Sequence, residues 1–354
     1  MATDSVVVVG IGMMTPVGLT TAETAASVRS ATMLFAETPI RDHRFEPFTL
    51  AEVIEDGLPQ LVDEVAAAPG LTSREARMLR LAAMPLRECL KSLTPGTTAP
   101  GLVLALPEMQ TTLPLDGKKF LQRFAQQTRN SFNMKQSAAP HVGRAGGLAA
   151  IGQAAETIRQ GKARLMLAGG VDTYRDLYVL GTLDMEKRVK SSVHLDGFIP
   201  GEGAAFVLLA SPDAAREGGL VPLARISPVF QGMEQGHLYS KEPYRGEGLA
   251  MAVEKLAASG TEGAPIAEVY SSMNGESHWG KEWGVSFIRN KAAFLPDHAI
   301  HHPADCLGDT GAAAGLIMLG LAVYGLHDHY HRGPCLVYCS SDRGQRAVLT
   351  AGAA

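Results

Sequence analysis

The fold is decided by a short stretch, "GRAGGLAAIGQA" (residues 143–154), and by its echo far downstream, "GDTGAAAGLIML" (residues 308–319). Each opens on a glycine turn and continues in small and aliphatic residues. A helix at a protein surface carries a charged face, and neither stretch has one beyond its opening turn, so both are expected to be buried all round. Each is followed by an apolar strand, "ARLMLAGGVD" (163–172) and "PCLVYCSS" (334–341). Such recurrence is an internal repeat, and it sets Arg144 opposite Asp309. Two buried helices aim two N-termini into the interior, with positive dipole ends and free N–H groups. Asp309 suits such an end, whereas Arg144 does not and needs an anionic neighbour.

Outward from this pair, Val6 to Val9 run into a glycine turn and then a helix-compatible "TTAETAASVRSA" (20–31), the pattern of a strand buried on both faces. "APGLVLALPE" (99–108) and "GEGAAFVLLAS" (201–211) are further strands, and residues 33–75 form a polar, turn-rich excursion over the surface. The later part of the chain repeats the order with "LARISPVFQG" (223–232), the helix "GLAMAVEKLAAS" (248–259), the strand "IAEVYSSMN" (266–274) and "RAVLTAG" (346–352). The predicted organisation is two halves, residues 1–215 and 216–354, in one compact unit.

Composition agrees with an α/β protein: 354 residues, 46% hydrophobic, with 38 glycines. A net charge of −4 offers no basic field for a phosphate backbone, which excludes nucleic acid as a partner class. The opening residues lack the basic and apolar regions of an export signal, and no membrane span is predicted. The cysteines, Cys89, Cys306, Cys335 and Cys339, form neither a CxxC motif nor a disulfide scaffold, which fits a reducing cytoplasm. "GIGMMT" fails as a dinucleotide fingerprint, since no acidic residue ends a second strand at the required distance. "HDHYH", with His327, His329 and His331, would set alternate histidines on one face if it were a strand, as a metal site requires, but directly after a helix it is read as a solvated connection. No metal and no cofactor are expected.

Several of these stretches together resemble the β-ketoacyl-acyl-carrier-protein synthases of the thiolase superfamily. They are "VVVVGIGMMTPVG", "AAIGQAAETIRQGKARLMLAGGVD", "LDGFIPGEGAAFVLLAS", the most specific of them, and "GDTGAAAGLIMLGLAVYGL". The resemblance implies an α/β, thiolase-like five-layer αβαβα fold built from two duplicated βαβαβαββ halves. In active members a cysteine at the start of the first buried helix takes the acyl chain, and two histidines assist decarboxylation. Here the resemblance sets Arg144 at the cysteine position and Asp309 at one histidine position. The other histidine falls within "SSMNGESH", at Ser272 or Met273, and the gating phenylalanine falls at about Asp342, beside Arg343.

Arginine keeps its proton and offers no lone pair to a thioester, and a carboxylate would repel a developing enolate. No catalytic residues are therefore expected. The vestigial site comprises Arg144, Ser272, Asn274, Glu276, His278, Asp309, Asp342 and Arg343, with Asp309 and then Glu276 pairing Arg144. A new acid and base in Glu276 and His278 is the competing view of "NGESHW". The resemblance implies an inactive scaffold or adaptor, similar to ketosynthase-like proteins encoded beside type VI secretion effectors. The alternatives are the non-catalytic subunit of a ketosynthase heterodimer, comparable to a chain-length factor, or an acyltransferase-like enzyme with altered chemistry. The implied partners are a second copy or a ketosynthase-like paralogue in a dimer, and a secreted effector or its chaperone. An acyl carrier protein fits less well, because charge stands where active relatives keep an apolar channel.

Overall fold

The computed structural model describes residues 5–94, 96–109, 115–260 and 263–354; residues 1–4, where the export reading and the first predicted half begin, lie outside them. The strands are β1 (Val6–Met14), β2 (Phe35–Arg41), β3 (Pro47–Ala51), β4 (Gly101–Ala105), β5 (Leu165–Thr173) and β6 (Glu202–Ala210), then β7 (Ala224–Ile226), β8 (Phe230–Met233), β9 (Ile266–Ser271), β10 (Phe294–His301), β11 (Cys335–Ser340) and β12 (Gln345–Gly352). Ten of them form one sheet: nine follow the hydrogen-bonded path β10-β9-β11-β12-β7-β1-β6-β5-β4, and β8 lies off it, beside β12.

That path contains the repeat. In its later block, β10, β9 and β11 run parallel, and β12 and then β8 follow antiparallel. In its earlier block, residues 138–141 run parallel to β4 through the bridges Val103 to Ala138 and Leu106 to His141, β5 runs parallel to β4, and β6 and β1 follow antiparallel. Both blocks therefore have the same spatial order by sequence rank, third, second, fourth, fifth, first. Short β7 pairs with both β1 and β12 and joins them.

Period-two side-chain alternation sorts each apolar strand between two cores. Val6 and Val8 face a central cluster with Val103, Ala168 and Val207, while Val7 and Val9 face an outer one with Leu102, Leu104 and Phe206. The helices Gly146–Arg159 and Ala314–His327 lie in the central layer, with Leu148, Ile151, Leu316 and Leu319 among its buried residues. Helices Ser73–Cys89 and Gly117–Gln127 cover the outer face of the first block, and Glu247–Ala258 and Ser277–Arg289 cover that of the second. The five layers are thus helix, sheet, helix pair, sheet, helix, as the resemblance implied.

Two local expectations are corrected. The stretch 33–75 is not only a surface excursion: β2 and β3 pair antiparallel, and Phe48 and Leu50 are buried with Leu180 and Phe198. The register of the repeat is also displaced. Each central helix is preceded by a 3₁₀ turn, Gly143–Ala145 and Gly311–Ala313, whose first glycine has φ +70° and +53°. By this geometry Arg144 is equivalent to Ala312, and Asp309 lies just ahead of the second turn. The alignment failed because glycine and alanine recur at so many offsets in both stretches.

Candidate functional site

Arg144 reaches the interior because of how its turn is held. Gly143 takes the left-handed conformation between the strand-like 138–141 segment and the helix. The Ser341 hydroxyl accepts the Ala145 N–H at 2.9 Å and donates to Val142 O at 2.5 Å, tying the turn to the β11–β12 loop. The Arg144 side chain is 4% exposed. Its Nη1 donates to Asp309 Oδ2 at 2.5 Å, its Nε to Ser340 O at 3.0 Å, and its Nη2 to Asp342 Oδ1. The guanidinium carbon lies 4.6 Å from the centroid of the Trp279 ring, a cation–π contact.

A second guanidinium completes the arrangement. Arg188 forks onto Glu276 through Nε and Nη2 at 2.8 and 2.9 Å, and its Nη1 donates to Asp342 Oδ2 at 2.7 Å and to Tyr239 Oη at 3.0 Å. Asn274 Nδ2 bridges Asp309 Oδ2 and Glu276 Oε2 at 2.8 and 3.1 Å, and Trp279 Nε1 donates to Glu276 Oε2 at 2.9 Å. Two guanidiniums thus face three carboxylates. The surplus negative charge is met by the start of the second central helix, where Asp309 Oδ1 accepts the Gly311 N–H at 2.8 Å. Asp172 Oδ2 accepts the next N–H, of Ala312, at 3.0 Å, and its other oxygen takes Arg74 Nη2 at 3.0 Å.

These contacts fix the charge states. Burial works against the Arg144 cation, but Asp342 and Asp309 hold its pKa well above the ordinary value. Burial likewise opposes the Arg188 cation, and Glu276 and Asp342 raise its pKa. For Glu276 burial pushes upward, and the Arg188 hydrogen bonds and charge prevail, leaving its pKa below the ordinary 4.5. Burial, with Asp309 beside it, keeps the Tyr174 phenol protonated. All four cysteines are buried, and burial raises the thiol pKa of Cys89, Cys306 and Cys339. That is the opposite of what a thiolate nucleophile needs.

The space around Arg144 is small. A cavity of about 30 Å³ lies between it and Arg74, Glu108, Asp172 and Tyr174, and one of about 20 Å³ lies on the side of Ser271, Pro303 and Met318. A water needs roughly 10–15 Å³, and a small-molecule site spans roughly 300–1,000 Å³. Each cavity has room for one or two waters.

Of the expected residues, Asn274, Glu276, Asp309 and Asp342 join Arg144 in one network. Glu276 does so differently from expectation: its ion-pair partner is Arg188, and Asp342 takes the place foreseen for Glu276 at Arg144. Ser272 lies beside the network, where its hydroxyl accepts the Ser340 N–H at 3.0 Å. His278 Nε2 makes no hydrogen bond to Glu276. Its ring lies 4.6 Å from that of Tyr244, burial lowers its pKa, and its Nε2 is buried without a hydrogen-bond partner.

Arg343 is also outside: its side chain is half exposed, with Nε 3.9 Å from Glu108 Oε2. The inward arginine nearby is Arg346 at the start of β12, whose Nε donates to Glu282 Oε1 at 2.6 Å while Nη1 donates to Ser341 O at 2.7 Å. Arg188, Trp279 and Glu282 were not foreseen. Two groups among the described residues bring metal-competent atoms together, Asp42 with His43 and Asp184, and Glu268 with His301 and His331. Neither includes a residue of the Arg144 network.

Residues 137–215, which contain both Arg144 and "DGFIPGEGA", match the family model of the β-ketoacyl synthase N-terminal domain. Among curated proteins none matches the chain. Solved structures do. The ishigamide ketosynthase/chain length factor is similar with a TM-score of 0.80 at 17% identity, covering 100% of this chain and 100% of that one. The oxazolomycin ketosynthase domain of Streptomyces albus JA3453 gives 0.79 at 13% identity, over 99% of this chain and 74% of that one. The ketosynthase from module 6 of the bacillaene synthase of Bacillus subtilis 168 gives 0.80 at 13%, over 98% and 72%. No helix among the described residues is long and apolar enough to cross a membrane. The chain has the thiolase-like fold of the ketosynthases, and its residues 137–215 match the model of their N-terminal domain.

Proposed function

We propose that this protein is a ketosynthase-family member that no longer condenses acyl chains and acts as a scaffold or adaptor. The observation that carries the proposal is Arg144 itself. A guanidinium without a lone pair stands at the head of the first central helix, pinned between Asp309 and Asp342. The raised thiol pKa values and the water-sized cavities support the same reading, since covalent acyl transfer needs a thiolate and room for the chain. The helix Leu177–Met185 and the loop after it expose Leu177, Tyr178, Met185, Val193 and Leu195 by 53–75%, apolar surface of the kind that protein partners cover. The resemblance to ketosynthase-like proteins encoded beside type VI secretion effectors extends the proposal to support of such an effector or its chaperone.

A second reading is the non-catalytic subunit of a ketosynthase heterodimer. It is favoured by the end-to-end likeness to the ishigamide ketosynthase/chain length factor. Two assays test these readings. The purified protein is given malonyl and acyl carrier-protein thioesters, and the products are followed by mass spectrometry; condensation or decarboxylation above background defeats the non-catalytic reading. Affinity capture from native cells then separates the two partners. An effector or secretion-tip protein supports the adaptor, and an intact ketosynthase with its carrier protein supports the heterodimer.

A further inference from the structure

We propose that Glu268, His301 and His331 form a binding site for one zinc-class divalent ion, away from the Arg144 network. Glu268 and Tyr270 lie on one face of β9, two residues apart. In the parallel pairing with β10, Tyr270 is in register with His301. His301 Nε2 lies 2.8 Å from Glu268 Oε2, and its ring stacks on Tyr270 with centroids 4.6 Å apart. His331 enters from the turn after the helix Ala314–His327, and its Nδ1 lies 3.7 Å from Glu268 Oε1. One ligand atom from each of the three residues lies within 4.8 Å of the other two. A tetrahedral ion with arms of about 2.0–2.1 Å sets its ligands about 3.3 Å apart, and the observed separations bracket that distance.

Three features mark this as a built site. The Glu268 side chain is 7% exposed, and the ion-pair partners that the described residues give it are the two imidazoles; a buried carboxylate needs a cation. His331 Nε2 lies 2.7 Å from the buried Tyr270 hydroxyl, the outer hydrogen bond that orients a metal-ligating histidine with its other nitrogen toward the ion. Gly325 makes room for the ring, since a Cβ there would lie 2.0 Å from His331 Cδ2. Two imidazole nitrogens and one carboxylate oxygen suit zinc or cobalt better than calcium or magnesium. The His301 side chain is one-third exposed, and water would complete the coordination. His331, expected as part of a solvated connection, is instead a buried side chain at this site.

The test uses the full chain stripped with a chelator and titrated with Zn²⁺ by calorimetry, and with Co²⁺ by visible absorption. The expected result is saturation at one equivalent, tetrahedral cobalt bands, and a rise in Tm. His301→Ala should weaken uptake by about 100-fold or more, and Tyr270→Phe by about 10–100-fold, while His327→Ala and His329→Ala leave it unchanged. Glu268→Gln should behave like His301→Ala; if it does not fold, the His301 and Tyr270 variants still decide. Absence of saturable uptake, uptake indifferent to His301→Ala and Tyr270→Phe, or uptake lost in the His327 and His329 variants would overturn the proposal.

Discussion

Arg144 Nη1 and Asp309 Oδ2 lie 2.5 Å apart although the two residues are not equivalent in the repeat. One heads the first central helix, the other precedes the turn into the second, and each supplies the charge that the other helix start lacks. Removing one partner of a buried pair leaves the other charge uncompensated. Arg144→Ala should therefore destabilise the protein by about 3–5 kcal/mol, read from urea or guanidinium denaturation. A loss near zero would mean that Arg144 faces solvent.

The pair Arg346 and Glu282 allows a sharper experiment, because both side chains are 1% exposed or less. Arg346→Met or Glu282→Leu alone strands a buried charge, whereas the double variant replaces the pair with apolar volume. The double variant should be more stable than either single one, and a double-mutant cycle by chemical denaturation measures the coupling.

Acid should weaken the fold in two stages. Burial lowers the pKa of His278 from 6.5, so its contribution is present above 6.5 and is lost as pH falls through the folded value. Glu276 has its folded pKa below 4.5, so its contribution is present above 4.5 and is lost at still lower pH. Tm measured from pH 7 down to roughly pH 5 should fall, and His278→Asn should flatten part of that slope. An unchanged slope in the variant would remove His278 from the account.

The two central helices touch through glycine. A Cβ at Gly147 would lie 3.2 Å from Leu316 N, and one at Gly315 would lie 3.2 Å from Leu148 N. Alanine at either position requires a shift of a few tenths of an ångström in a packed layer, and valine requires more. Gly147→Val and Gly315→Val should each destabilise by about 1–3 kcal/mol, the usual cost of overpacking, with the corresponding alanine variants milder in the same denaturation series.

The parts of this architecture legible in the sequence are those carried by local pattern. Uncharged helices announced the central layer, and all-apolar strands such as Val6–Val9 announced sheets covered on both faces. Arg144 and Asp309 were legible as partners because an isolated charge in a small-residue turn demands one. Arg188 was not. It follows the helix Leu177–Met185 in a loop, and its carboxylate partners lie 88 and 154 residues away in the chain. The helix Ser277–Arg289 did leave a signal, since Trp279, Glu282, Trp283 and Ser286 are buried at helical spacing, but a glutamate and a serine on the inward stripe disguised it. His331 was misjudged because its partners on β9 and β10 are invisible from "HDHYH" alone.

Every ion pair of the central network has one member before residue 215 and one after residue 216: Arg144 with Asp309 and Asp342, and Arg188 with Glu276 and Asp342. Split there, the chain would leave two unmatched cations on one fragment and three unmatched anions on the other. The two fragments should therefore behave as a key and its lock, insoluble or unfolded apart and mutually selective when mixed, as co-refolding of the separately produced fragments would show. In the intact chain the same division should couple the melting of the two halves, read as one calorimetric peak rather than two.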